Sequence, residues 1–216
     1  MIRGGKGKAV LRFALLLCLA PALAHADGEP AGEFDYWVLS LSWSPNWCAA
    51  EGDARGADQC DRPLGWTLHG LWPQYERGYP AYCPSSARDP SRRETGAMAD
   101  IMGSGGLAWH QWKKHGRCSG LASDDYLALS RLAYERVQRP AILRRLEEAV
   151  TIDPVVIEEA FIEANPGLAP DMLTVTCRDR RIQEVRLCLT RDLEPRRCGD
   201  DVIRDCTRAA LLEPVR

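Results

Sequence analysis

The chain has 216 residues, 45% of them of hydrophobic type, with 28 basic residues against 30 acidic ones. That is enough apolar material for a packed core, and the slight negative balance excludes a stable nucleic-acid coat, which would need a surplus of phosphate-binding cations. It leaves room for a catalyst that touches a few phosphates in one cleft and lets go.

In chain order, Arg3, Lys6, Lys8 and Arg12 form a basic start, and residues 13–22 are a short apolar run broken only by Pro21. Ala24-His25-Ala26 is a small-x-small cleavage site. This is the layout of a secretory signal peptide over 1–26, cut after Ala26. The competing reading is a membrane anchor, for which the apolar run is too short. Residues 27–216 then form one domain, secreted or periplasmic, with 24 basic against 30 acidic residues.

Residues 34–43 are rich in aromatic and β-branched types and predict a strand ending at Ser44-Pro45. Residues 51–65 read as a loop tied by Cys48 and Cys60. Residues 66–70 read as a second buried strand, closed by Pro73. Residues 75–93 hold Pro80, Pro84 and Pro90 and read as irregular. A helix is predicted over 94–102, and another over 107–115, introduced by Gly105-Gly106 and stopped by Gly116. Ser123-Asp124-Asp125 is a capping signal for a helix over 126–139 with the stripe Leu127, Leu129, Leu132, Ala133 and Val137. Pro140 separates it from a further helix over 141–150. Asp153-Pro154 is an N-cap with an N1 proline for a helix over 155–165. Residues 173–176 and 182–189 read as paired strands about a basic turn. Helices in the middle and strands at both ends predict an α+β fold with an antiparallel sheet.

Of nine cysteines, Cys18 leaves with the leader. The even remainder of an exported chain reads as disulfides, in any of 105 connectivities. Zinc is the competing reading. It is weakened by the absence of a C-x-x-C pair, and by the five-residue spacing of His110 and His115, where one helix face needs three or four.

The leader carries one of the four histidines, and the other three fall in two motifs. Trp66-Thr67-Leu68-His69-Gly70-Leu71-Trp72-Pro73 is the first, and Trp109-His110-Gln111-Trp112-Lys113-Lys114-His115-Gly116-Arg117-Cys118 the second. Imidazole gives and takes a proton near neutral pH. Two such clusters, each with tryptophans, suit acid–base chemistry on a ligand that stacks. On a helix over 107–115, His110 and Lys114 are i, i+4 neighbours, and Gln111 and His115 form a second such pair. Trp109 and Trp112 then turn toward the core, as Trp43, Trp47 and Trp66 do. The basic clusters Arg178, Arg180, Arg181 and Arg196-Arg197 read as solvated turns.

These motifs, with Phe34-Asp35-Tyr36-Trp37-Val38-Leu39-Ser40-Leu41-Ser42-Trp43 before them, resemble the ribonuclease T2 family in order and spacing. Thr174-Val175-Thr176-Cys177 and Glu184-Val185-Arg186-Leu187-Cys188 resemble its C-terminal cysteine pattern, so the resemblance covers nearly the whole mature chain. It implies an α+β fold and endonucleolytic cleavage of single-stranded RNA with low base specificity. It also implies no metal or other cofactor, no action on DNA and no membrane partner. The bridges it implies are Cys48–Cys60, Cys83–Cys118, Cys177–Cys206 and Cys188–Cys198. By the same resemblance His115 is the general base of the first step, His69 the general acid, His110 a phosphate binder and Trp72 a base-stacking platform. Gln74 and Tyr75 are the candidates for base contact. A monomer is expected.

The chemistry of RNA explains such a set. Its 2′-hydroxyl is a nucleophile already tethered beside the phosphorus, so the protein need supply none. What remains is a base for the 2′-OH proton, an acid for the leaving 5′-oxygen, and donors such as Lys114 for the developing charge. Base and acid exchange roles when water opens the 2′,3′-cyclic phosphate. The chain departs from the family pattern at Gln111, where glutamate is usual. An amide can still donate to a phosphoryl oxygen but cannot carry a charge. The alternative reading is therefore a ribonuclease-like fold with weak turnover that binds RNA or a protein. A zinc hydrolase using the three histidines is the third.

Overall fold

The computed structural model describes residues 1–2 and 29–216; most of the predicted leader, with Cys18, His25 and the cleavage site, lies outside the described residues. Six strands form one sheet: β1 (Tyr36–Trp43), β2 (Trp66–Gln74), β3 (Val150–Ile152), β4 (Leu173–Arg178), β5 (Arg181–Leu189) and β6 (Ala210–Leu212). The order is β2-β1-β5-β6-β3, with β4 also on β5. All pairings are antiparallel except the contact of β5 with β6 at Arg181 and Leu211. The predicted α+β class holds, with this one parallel contact added.

Alternation along β1 sets the two faces of the sheet. Trp37, Leu39, Leu41 and Trp43 join the main core with the helices, while Tyr36 and Val38 lie in a smaller cluster with Trp72 and the Cys188–Cys198 bridge. β4 and β5 join through Asp179 and Arg180, both at positive φ, as a two-residue turn that matches strand twist requires. Strand β2 runs through Pro73, which pairs with Trp37. Pro73 therefore does not close the strand; β2 is an edge, where a proline's missing N–H is tolerated.

Between the strands lie α1 (Ser44–Trp47), α2 (Arg92–Gly96), α3 (Ala99–Met102), α4 (Gly105–Lys114), α5 (Ser123–Arg136) and α6 (Pro154–Ala164). The helix expected over 94–102 is thus two short ones, the first started by a Ser91–Glu94 capping box. Gly105 and Gly106 belong to the first turn of α4, whose cap is the Ser104 hydroxyl accepting from Leu107 N–H. Ser123 lies inside α5 and does not cap it; the N-cap is Ala122. The buried face of α5 runs through Tyr126, Leu127, Ser130 and Ala133, whereas Leu132 is exposed. The helix expected over 141–150 does not form. Residues 141–145 make one tight helical turn with only Leu143 buried, and Val150 enters β3 by pairing with Leu212. Asp153 caps α6 by accepting from Val155 N–H, with Pro154 at N1. All eight described cysteines are bridged: Cys48–Cys60, Cys83–Cys118, Cys177–Cys206 and Cys188–Cys198.

Candidate active site

His69 reaches the site through an irregularity in β2. Ser40 pairs with Gly70 and Leu41 with Leu68, so His69 is an extra residue, a β-bulge. The bulge shifts the phase of the strand. Trp66 and Leu68 face the core before it, and Leu71 after it. Trp72 therefore shares the outer face with His69, and the two rings meet edge to face with centroids 5.3 Å apart. Gln74 follows on the same face and is buried. Gly70 beside the bulge has a steric reason: a Cβ there would collide with Trp72 Nε1 and the Gln111 amide oxygen.

Strand β5 contributes the next row. Register places Glu184 opposite Ser42 and Arg186 opposite Ser40. The small serines of β1 leave room for the longer side chains to cross toward β2. Glu184 contacts His69 Nδ1, and its other oxygen accepts from Arg186 Nε at 2.9 Å and Nη2 at 2.7 Å. Burial alone would raise the Glu184 carboxyl, but His69 and Arg186 outweigh it and hold the group at about 2.

His115 comes from the end of α4. Its N–H donates to Gln111 C=O at 2.9 Å, and its C=O accepts from Cys118 N–H at 3.0 Å, inside the loop anchored by Cys83–Cys118. The helix ends at Lys114 with His115 as its C-cap, and Gly116 begins a tight turn over Gly116–Ser119; a Cβ at Gly116 would sit 2.6 Å from Trp112 and 2.7 Å from Tyr126. Tyr126 in turn donates to Leu71 C=O at 2.9 Å, tying α5 to β2 behind the site. The outer side of α4 is clamped by Asp89, which accepts from Trp112 Nε1 at 2.9 Å, Lys113 Nζ at 3.2 Å and Arg117 Nη2 at 2.7 Å.

The two catalytic candidates meet across Trp72. His115 stacks on its ring with centroids 5.2 Å apart and planes 27° from parallel. Trp72 Nε1 donates to Gln111 Oε1 at 2.7 Å. His115 is 4% exposed and its Nδ1 has no hydrogen-bond partner. Burial first, then the positive neighbours Lys114, His69 and His110, bring it down to about 3, so the ring is neutral at physiological pH.

His69, His115, Gln111, Trp72 and Lys114 thus gather at one place, with His110 exposed on the adjoining turn of α4. Several expectations need correction. Trp72 is only 9% exposed, with His115 stacked on it and the Arg186 guanidinium 5.3 Å from its centroid. In this conformation it is a spacer between histidines, not an open platform. Tyr75 turns away, its hydroxyl donating to Glu29 at 2.6 Å. The tyrosine at the site is Tyr79, 49% exposed, 6.0 Å from His115 by centroid and as far from Lys114 Nζ. Trp109 is 41% exposed and is not core, and Trp47 lines a cavity. The basic clusters are at the surface as expected: Arg178, Arg180 and Arg197 are exposed, Arg178 pairs with Glu51, and the partly buried Arg181 and Arg196 pair with Glu213 and Glu76. Glu184, Arg186 and Tyr79 were missed, because no local spacing ties them to the histidine motifs.

A cavity of about 570 Å³ opens beside the site, with Ser42, Asn46, Trp47, His69, Arg181 and Glu184 among its walls. Trp72 and His115 do not line it, so His69 stands at the junction between cavity and histidine pair. As for metals, the one cluster of ligand type and spacing among the described residues is Cys48, Asp53 and Cys60, and its two sulfurs are joined in a disulfide. The three histidines form no such cluster, against the zinc reading. Among the described residues no helix is long and apolar enough to cross a membrane.

The Ribonuclease T2 family model matches residues 34–198. A ribonuclease from Aeromonas hydrophila is 37% identical over 194 residues, covering 86% of this chain and 87% of its own. Among solved structures, an RNase-related protein from Calystegia sepium superposes with TM-score 0.63 at 19% identity, over 85% of this chain and 99% of its own. Trichomaglin, described as an S-like ribonuclease, gives TM-score 0.63 at 21% identity over 85% and 100%. These two likenesses concern the fold.

Proposed function

Since the chain belongs to the ribonuclease T2 family, we propose that it is an endoribonuclease cutting single-stranded RNA by transphosphorylation, with His115 as first base and His69 as first acid. The observation that carries the assignment is the unlike setting of the two imidazoles on either side of Trp72. His115 is buried, unpartnered at Nδ1 and neutral. It starts in the form that accepts a proton. His69 holds an ionised carboxylate at Nδ1. That contact occupies Nδ1 and leaves Nε2 to pass a proton to the leaving oxygen.

In the first step the neutral His115 takes the 2′-OH proton as the 2′-oxygen bonds to phosphorus. The bond from phosphorus to the 5′-oxygen breaks, and His69 delivers a proton to that oxygen. A 2′,3′-cyclic phosphate results. In the second step His69 takes a proton from water, the water oxygen attacks phosphorus, and His115 protonates the departing 2′-oxygen. Among the described residues Lys114 is in no ion pair with a carboxylate, unlike Lys113, and its Nζ faces the Tyr79 ring, so its charge is available to the phosphoryl oxygens. His110 is exposed beside it. The Gln111 amide oxygen is taken by Trp72, which leaves the amide N–H groups to donate to the phosphate. Tyr79 offers the exposed ring for a base, and the cavity beyond His69 receives the nucleotide on the other side of the phosphate. Low base specificity follows from stacking in place of a hydrogen-bonding code. No step calls for a metal. Four disulfides support secretion or a periplasmic location.

The test is His69→Ala and His115→Ala on a dinucleoside phosphate. Each should lower kcat by about 10²–10⁴-fold in a folded protein. Near wild-type turnover in either would remove that residue from its role.

A further inference from the structure

We infer that Glu184, locked by Arg186, is a positioning residue for the reaction: it fixes His69 as the Nδ1–H tautomer and turns Nε2 toward the scissile phosphate. This rests on the reading of His69 as an acid–base group. Four observations support it. Glu184 is almost fully buried, yet it sits on the face of β5 that carries the site and not in the apolar core. One of its oxygens meets His69 Nδ1, and the other is held by two N–H groups of Arg186. The carboxylate therefore cannot rotate away. Arg186 is itself set against Trp72, which touches both histidines, so the row from β5 through Trp72 to His115 is continuous. Finally, His69 sits on a bulge, where the strand ladder does less to fix its direction. An external partner supplies what the backbone does not.

The consequence is a division of the two ring nitrogens. A carboxylate accepts only, so the nitrogen facing it bears the proton, and Nε2 is left to exchange protons with substrate. Other titratable and charged groups about the histidine pair are Arg186 on β5, His110 and Lys114 on α4 and the neutral His115 at its end, and, along the cavity that His69 lines, Arg181, Arg178, Asp179, Glu51 and Arg55. The three cavity arginines are each within ion-pair distance of a carboxylate: Arg55 and Arg178 of Glu51, and Arg181 of Glu213. Glu184 is thus the anion in contact with the ring.

The experiment measures ¹⁵N shifts of the His69 ring in the wild-type protein, and pH–rate profiles of wild type and Glu184→Gln for transphosphorylation of one dinucleoside phosphate. The expected spectrum shows Nδ1 protonated in the neutral ring. Glu184→Gln should lower kcat by about 10–100-fold, the usual effect of removing a ligand-orienting partner. KM should change little, and the alkaline limb of the profile should move to lower pH, because the group that favours the protonated acid is gone. A merely structural glutamate would not move that limb. An Nε2–H tautomer in wild type, or a folded Glu184→Gln enzyme with an unmoved limb, would overturn the inference. The spectrum of wild type decides the matter even if Glu184→Gln does not fold. Wild type that fails to cut RNA would sink the functional reading instead, while the tautomer still reports whether Glu184 holds His69.

Discussion

Acidification should destabilise this protein through His115, and the size of the effect can be worked out. Burial is the main reason the ring stays at about 3 in the fold, against the ordinary 6.5. Between those values the unfolded chain binds a proton that the folded chain refuses. Stability is therefore complete above pH 6.5 and is lost as pH falls toward 3. From pH 7 to pH 5 the linkage relation gives a loss of about 2 kcal/mol, or roughly 4–8 °C in Tm for a domain of this size. Glu158 acts in the opposite sense. Burial, then Asp205 beside it, raises its carboxyl from 4.5 to about 7, so its contribution improves as pH falls through that window. His115→Asn removes the imidazole and leaves Glu158 in place. Thermal unfolding of both proteins at pH 7 and pH 5 isolates the histidine: wild type should lose about 2 kcal/mol more than the variant. Equal losses would refute the claim that burial keeps His115 neutral, and with it the reason for making it the base.

Gln111→Glu adds a buried negative charge one turn from His115, which favours the imidazolium. The acid limb of its kcat/KM profile should move to higher pH; superimposable profiles would place position 111 outside the reaction. Gly70→Ala should drive a methyl group against Trp72 and Gln111. A loss of about 1–3 kcal/mol of stability is expected, with altered tryptophan fluorescence and a lower kcat/KM, and an unaffected protein would show that the bulge has slack. Intact-mass analysis of the active protein should find no free thiol among the eight cysteines of residues 27–216. Replacing Cys83 and Cys118 together by serine opens a loop of 35 residues and should cost about 2–4 kcal/mol. Activity should fall as well, because the bridge anchors the turn after His115. Undiminished activity would mean that hydrogen bonds alone hold that turn.

β1, α4, α6 and the β4–β5 hairpin were legible from short-range signals: aromatic and β-branched alternation, the glycines and polar pairs about α4, the Asp153-Pro154 cap and the basic turn. Local signals also misled, since Ser123 lies inside α5 and residues 94–102 divide between two short helices. The helix expected over 141–150 failed because Val150 is claimed by β6, a partner some sixty residues away. The histidine motifs were legible, yet the mutual placement of His69 and Trp72 was not. It depends on a bulge, whose trace in the sequence is a slip of apolar phase from Trp66 and Leu68 to Leu71, with Gly70 at the slip. The resemblance to the family implied Trp72 as a base-stacking platform; here His115 is stacked on its ring. Glu184 lay in plain view in the Glu184-Val185-Arg186 run. Only the register of β5 against β1 brings it within reach of His69.

The central claim is that two histidines and the substrate's own 2′-hydroxyl carry out the cleavage. Its most direct test is incubation of the oxidised mature protein with a single-stranded RNA and a DNA of the same sequence, each with and without EDTA, followed by mass analysis of the products. The account predicts RNA fragments ending in 2′,3′-cyclic phosphate, formed equally with and without the chelator, and intact DNA. Cleaved DNA, or cleavage abolished by EDTA, would contradict it.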